Sequence, residues 1–419
     1  MTKWRTHKMA VLGFHVVLSM IVCVVWSKLR SVLSVSRYIK SRLWVYFVIK
    51  EDDEPEQTSG SKKKKTNEPK SKIYLGLRHI SEEDCQSLQF YAQFCILLNL
   101  MCATVVVCAC TWLCSALVPR LVGDEANLAL LWVAVLVAYC SKSAFSITAL
   151  FFRPTMGSEG KICAVCAVAG FVCSVCVLSL GGDDVAPGLP QGILSLYLYM
   201  SDYVALGVLG VVGHVALSLV AGALTGALVF PSFRLAQQHC GALVDAGSTR
   251  RLLCYGHLCS LLLAALLQLR SVVRYAQQEL LQVPEGSQLV EMLHSALLAL
   301  HLVLRAVLAV PFMQAYLDTA LRRLPRPSDR RDNGSELASA EQAVHSIFRY
   351  LGVVLLQWCT STAVLACGLL LQTGLARDMA RWPLVGGASV YLLNFSVAAM
   401  SVFSLVGMAY FTRLSRRRP

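Results

Sequence analysis

The chain is 419 residues long, 56% hydrophobic and only 15% charged, with a net charge of +13 and a mean hydropathy of +0.58. A soluble core has no use for that much apolar sequence, whereas a bilayer takes about 20 apolar residues per helix. Composition therefore excludes an ordinary soluble domain and predicts an all-α, polytopic integral membrane helical bundle of about 8–9 transmembrane helices.

In chain order, residues 1–27 read as a first span or signal anchor. The apolar run Met9 to Trp26 follows Lys3, Arg5 and Lys8, and no small-residue cleavage site comes after it. Residues 28–86 read as a basic, partly disordered cytoplasmic loop, with an acidic run from Glu51 to Glu56 and a lysine run, Lys62 to Lys65. That lysine run is either a solvated block that holds the loop inside or an attraction to anionic lipid. Residues 87–419 form the bundle, with spans expected near 90–117, 127–152, 162–180, 203–230, 252–269, 289–317, 347–371 and 387–411.

Several spans carry internal signals. The fourth holds Cys163, Cys166, Cys173 and Cys176, a doubled C-x-x-C. One continuous helix cannot fold four thiolates around a tetrahedral ion, so these are expected to be small packing residues, and no metal site or cofactor is expected anywhere. The fifth spaces Gly210, His214, Ser218, Gly222 and Gly226 four apart, a ridge that lets another backbone approach and makes His214 a packing histidine. Pro231 is expected to end or bend that helix and to open a soluble-looking segment to Arg251.

The seventh span is the most unusual, and the rest of the chain is expected to be organised around it. Within Gln288 to Leu317 it carries Glu291, His294, His301 and Arg305, whose spacing puts them within roughly 80° of one another on one helix face. Ionisable groups at membrane depth usually face a bundle interior or a watery cavity. Pro311 lacks the N–H that would bond the carbonyl of Val307, which favours a kink one or two turns beyond Arg305. Lys142, deep in the third span, is a second intramembrane cation. Either Arg305 is met by carbonyls freed near Pro311 or by hydroxyls of another span such as Thr360, or a hydrated pocket or anionic group lies between the third and seventh spans.

Counting Lys and Arg on alternate sides of nine spans puts 28 inside, with Arg349 at the margin of the eighth span assigned to that side, and 8 outside when the N-terminus is outside, leaving Lys142 and Arg305 deep within spans. The positive-inside rule then gives a cytoplasmic first loop and C-terminus. No H-E-x-x-H, G-x-S-x-G, P-loop or G-x-G-x-x-G occurs. Glu291 is the one acid well inside a span, so no catalytic residues, no enzyme activity and no nucleic-acid partner are expected. Two function classes stay open: a non-enzymatic regulator that packs against ion channels or other membrane proteins in the bilayer, and a transporter or channel whose path follows Glu291, His294, His301 and Arg305.

Several stretches resemble the transmembrane protein 161 family, A and B types. Met9 to Gly13 resembles the family's start. Phe230 to Leu243, FPSFRLAQQHCGAL, is similar to its F-P-x-x-R-L-A-Q-x-H-x-x-A-L motif, through Phe230, Pro231, Arg234, Leu235, Ala236, Gln237 and His239. Lys142, Arg305 followed by Pro311 and by Gln314 to Leu317 with Tyr316, and Tyr350 to Gln357 also match. The resemblance implies a multi-pass membrane protein without known enzymatic activity; the plasma membrane, rather than internal membranes, is the expected location. It further implies a link to ionic currents and excitability in the B type and to protection against oxidative stress in the A type.

Overall fold

The computed structural model describes residues 14–32, 34–49, 74–117, 129–153, 158–181, 206–244, 246–268, 289–323, 333–375 and 383–416. The charge runs of the first loop, Lys62 to Lys65 among them, and the apolar piece Ile193 to Met200 lie outside the described residues.

Helices dominate: α1 (Phe14–Val32), α2 (Val35–Ser41), α3 (Glu82–Gln86), α4 (Tyr91–Leu117), α5 (Ala129–Phe151), α6 (Glu159–Gly181), α7 (Leu206–Val244), α8 (Ser248–Leu266), α9 (Leu289–Val307), α10 (Ala309–Leu317), α11 (Thr319–Arg323), α12 (Asn333–Leu375) and α13 (Pro383–Arg416). Six of them, α4, α5, α6, α7, α12 and α13, are long and apolar enough to cross a membrane, and the bent pair α9–α10 raises the number to seven. Among the described residues the count thus stands at six to seven against the expected eight to nine. Val16–Leu29 of α1 is apolar but short, and α8 falls outside the set; it opens on Arg250 and Arg251 and carries His257 and Ser260.

Residues 28–86, expected to be a basic and partly disordered loop of an all-α chain, contain two strands. Trp44–Ile49 (β1) and Tyr74–His79 (β2) pair antiparallel, Trp44 opposite His79 and Ile49 opposite Tyr74. The segment WVYFVI is β-branched or aromatic throughout, a composition that favours a strand. Gln314 of α10 acts as a further pairing partner, accepting from Trp44 N–H at 2.9 Å and donating to Trp44 C=O at 3.3 Å. Tyr46 donates to Asp318 at 2.9 Å, which fastens the ladder to the end of α10.

α12 is the hub. It packs on α4, α5, α7, α9, α10, α13 and β1, and 83% of its membrane window is buried, against 22 to 39% for the five other long spans. The centre of the bundle is therefore the eighth expected span rather than the seventh. Hydroxyls make this tolerable, because Ser361 and Thr362 return their protons to α12's own carbonyls, those of Gln357 and Trp358.

The fifth expected span does not stop at Pro231. α7 runs through it for 39 residues, because residues 232 to 242 are held between α10 and α13 and the loss of one helical bond is outweighed by that packing. Phe230 lies 4.6 Å, ring to ring, from Phe151, and Phe233 lies 6.4 Å from Phe403. The small ridge works as expected over part of its length. A Cβ on Gly222 would stand 2.8 Å from the carbonyl oxygen of Ala167, and one on Gly226 would stand 2.9 Å from that of Cys163, both on α6. Cys163 is buried in this contact, while Cys173 and Cys176 are exposed. Gly210, by contrast, has open space around it.

Gly226→Ala should therefore destabilise the protein by about 1–3 kcal/mol through overpacking. Gly210→Ala, with the same chemical change, should be neutral or slightly stabilising, since Ala is the better helix former. Thermal unfolding of the two variants in one detergent checks the pair, and equal shifts would contradict the α6–α7 contact.

Candidate functional site

The face of α9 that carries the polar stripe turns inward. His294 is 7% exposed, and Leu298, His301 and Arg305 are each 0% exposed, whereas Met292, Leu300, Val303 and Val307 look outward. The side chain of Glu291 lies outside the described residues.

α9 ends at Val307, the residue whose carbonyl Pro311 cannot bond, and α10 leaves at 50°. The bend comes at Leu308, within a turn of Arg305 and closer than expected. This puts Arg305 in the last turn of α9, where the helix dipole presents its negative end. Its Nη2 donates to the Trp358 carbonyl at 3.3 Å and to Ser361 Oγ. The partner hydroxyl is thus Ser361 rather than Thr360, and the carbonyl belongs to α12 rather than to the Pro311 bend. Ser361 suits the role because its own proton goes to the carbonyls of Gln357 and Trp358, leaving a lone pair for the guanidinium.

The guanidinium is only half satisfied. Among the described residues Nε and Nη1 have no partner, nor do both amide atoms of Gln357, Thr360 Oγ1 and Trp358 Nε1. No described acid forms an ion pair with Arg305; the ion pairs seen are peripheral, Lys40–Glu82 and Arg78–Asp84. A charge held this way depends on every acceptor it has.

Next to it stands a feature that sequence reasoning missed. His257 of α8 stacks on His301 at 4.4 Å between ring centroids, and His239 of α7 lies 6.4 Å beyond. Phe312 packs edge-on against His257 at 5.5 Å. The tautomers follow from the acceptors. His301 Nδ1 faces the His257 carbonyl at 3.0 Å and His239 Nε2 faces that of Cys254 at 3.0 Å, so each of these nitrogens carries a proton. His239 Nδ1, His301 Nε2 and both nitrogens of His257 have no partner among the described residues. A cavity of about 10 Å³ lies between His239, His257, Ser404 and Met408, room for roughly one water. In the sequence His239 stands out only as part of a motif, and His257 is a single histidine on an apolar helix. Its one signal is the spacing to Ser260.

The remaining predicted residues lie elsewhere. Lys142 is exposed on α5, its ammonium 5.7 Å from the Tyr139 ring centroid, and does not meet Arg305. His214 is half-buried on α7. Arg234 stands over the Tyr350 ring at 5.3 Å and donates to Gln237 at 3.3 Å. Leu235 and Ala236 are buried, as is Gln357, and Tyr316 donates to the Ile347 carbonyl at 3.1 Å. No group of residues suited to a metal ion occurs among the described residues.

The family model described as predicted transmembrane protein 161AB matches residues 10–385. The chain belongs to this transmembrane protein 161 A/B family. No solved structure matches the chain. The matched region takes in the inward stripe of α9, the α10 bend, the whole of α12 and the FPSFRLAQQHCGAL stretch, which forms the C-terminal part of α7. The chain is accordingly a multi-pass integral membrane protein.

Ser361→Ala keeps the buried charge and removes its best acceptor, and should cost about 1.5–3 kcal/mol. Arg305→Met removes the charge together with its need and should cost less. Thermal unfolding should rank the variants in that order, and the reverse order would mean that the guanidinium contributes net stability through contacts other than Ser361.

Proposed function

We propose that this protein is a non-enzymatic, multi-pass regulator of ionic currents that acts at the plasma membrane by lateral contact with channels or other membrane proteins. The observation that carries the reading is the closure of the α9 stripe: His301 and Arg305 are each 0% exposed, with Leu298, Leu308 and Phe312 around them at 0 to 1%. A conduction path would bring water to at least one of these polar groups. The current-linked theme comes from the family resemblance, and the stripe then serves to fix the bundle in one register. A role in the oxidative stress response is the second theme that the resemblance offers.

One observation favours the alternative, a transporter or channel. His239, His257 and His301 form a row with nitrogens unpartnered among the described residues, and imidazoles in a row beside a water-sized cavity are suited to passing protons. The two readings part in a current measurement normalised to surface protein, made on Arg305→Gln and His301→Gln. For the regulator, current per surface molecule stays at the wild-type value whatever the amount of protein. A variant that reaches the surface normally and loses its effect on current would establish the path.

A further inference from the structure

α5 carries an intramembrane cation on its outer face. Its 23 residues span about 34 Å, enough to cross the hydrocarbon layer, and its midpoint is Cys140. Lys142 lies two residues from that midpoint and is exposed. The nearer helix end, Phe151, is nine residues or about 14 Å away, farther than a lysine side chain reaches. Moreover, the side chain does not lean that way. Side chains on a helix tilt toward its N-terminus, and the ammonium of Lys142 stands near the ring of Tyr139, three residues earlier and at the centre of the span. Snorkelling thus does not relieve the charge.

The surface around it is shaped for a helix. Leu131, Ala134, Val135, Ala138, Lys142, Phe145 and Ala149 recur at three- and four-residue steps, and all are exposed. Ala134 and Ala138, four apart and followed by Lys142, are the small residues that let two backbones approach, and Phe145, 75% exposed, stands beside them as a knob. On the same α5, Val133, Leu136, Cys140, Ile147 and Leu150 are buried in the bundle, so this stripe is left uncovered by the described residues.

We infer that the α5 stripe centred on Lys142 is a docking face for a transmembrane helix of another membrane protein that carries an aspartate or glutamate at mid-depth. Charge complementarity selects this occupant. A second copy of this chain docked through the same stripe about a two-fold axis would set Lys142 against Lys142. Lipid phosphate sits at the interface, away from the centre of the span. A carboxylate on a neighbouring helix meets the ammonium at its own depth. This inference rests on the lateral-contact reading above and names the contact.

The test uses the full chain reconstituted in phosphatidylcholine bilayers with a synthetic leucine–alanine transmembrane helix carrying one central aspartate, association being followed by energy transfer. The same helix with leucine in place of aspartate is the reference. The aspartate helix should associate about tenfold more tightly than the leucine helix. Lys142→Gln should abolish that difference and Lys142→Arg should keep it. A photo-crosslinker at Phe145 should capture the aspartate helix, and one at the buried Val133 should not. This crosslinking decides the matter in the otherwise unaltered chain if Lys142→Gln fails to fold. An aspartate preference that survives Lys142→Gln, crosslinking equal from both positions, or energy transfer confined to pairs of this chain would overturn the docking face. If aspartate capture depends on Lys142 while current per surface protein is unchanged by Lys142→Gln, the docking face stands and the regulatory reading fails.

Discussion

The arrangement of this bundle follows from one requirement: the guanidinium of Arg305, fully buried and without an acid partner among the described residues, must be met by dipoles. Three sources supply them. The last turn of α9 offers its carbonyl end, α12 offers the Trp358 carbonyl, and Ser361 offers a hydroxyl whose proton is already committed to α12. Each source constrains an element. α9 must end near Arg305, and Pro311 ends it at Val307. α12 must pass within hydrogen-bonding distance at residues 358 to 361, which places residues 351 to 363 inside the bundle with all their faces covered.

A helix covered on all faces needs neighbours that come close, and small residues provide them. α7 meets α6 through Gly222 and Gly226, Ala315 of α10 lies 3.2 Å from where a Cβ on Gly241 would stand, and Gly352 of α12 admits the carbonyl of Gln89. That last carbonyl precedes Phe90, whose positive φ of 67° turns the chain into α4. The β1–β2 ladder belongs to the same economy of contacts, since Gln314 and Asp318 sit just beyond the bend that Arg305 and Pro311 set.

Much of the membrane architecture was legible because helix periodicity and apolar length are local properties. The stripe of His294, His301 and Arg305 faces inward as its spacing implies, and the missing N–H of Pro311 places the bend within a turn of expectation. Pro231 shows the limit of the same rule: one lost hydrogen bond is a small local term, and packing on α10 and α13, invisible in sequence, overrides it. The hub role of α12 was hidden because Ser361 and Thr362 look like ordinary hydroxyls until the carbonyls and the cation they serve are in place. His257 was hidden because its partners come from α7 and α9. Lys142 and Arg305 looked alike in sequence as two deep cations, and only exposure separates them, one on the outer face of α5 and the other at the core.

With Arg305 and its neighbours fully buried, water should not reach the Arg305 site in the native protein. Cys359, 0% exposed, adjoins Trp358, whose carbonyl binds the guanidinium, and so reports on that site directly. Peptide-resolved mass spectrometry after treatment with a small, positively charged thiol reagent in native bilayers measures its accessibility. Cys359 should stay unmodified until the protein unfolds. Labelling in the folded state at a rate near that of the unfolded chain would contradict the account and open a water path to Arg305.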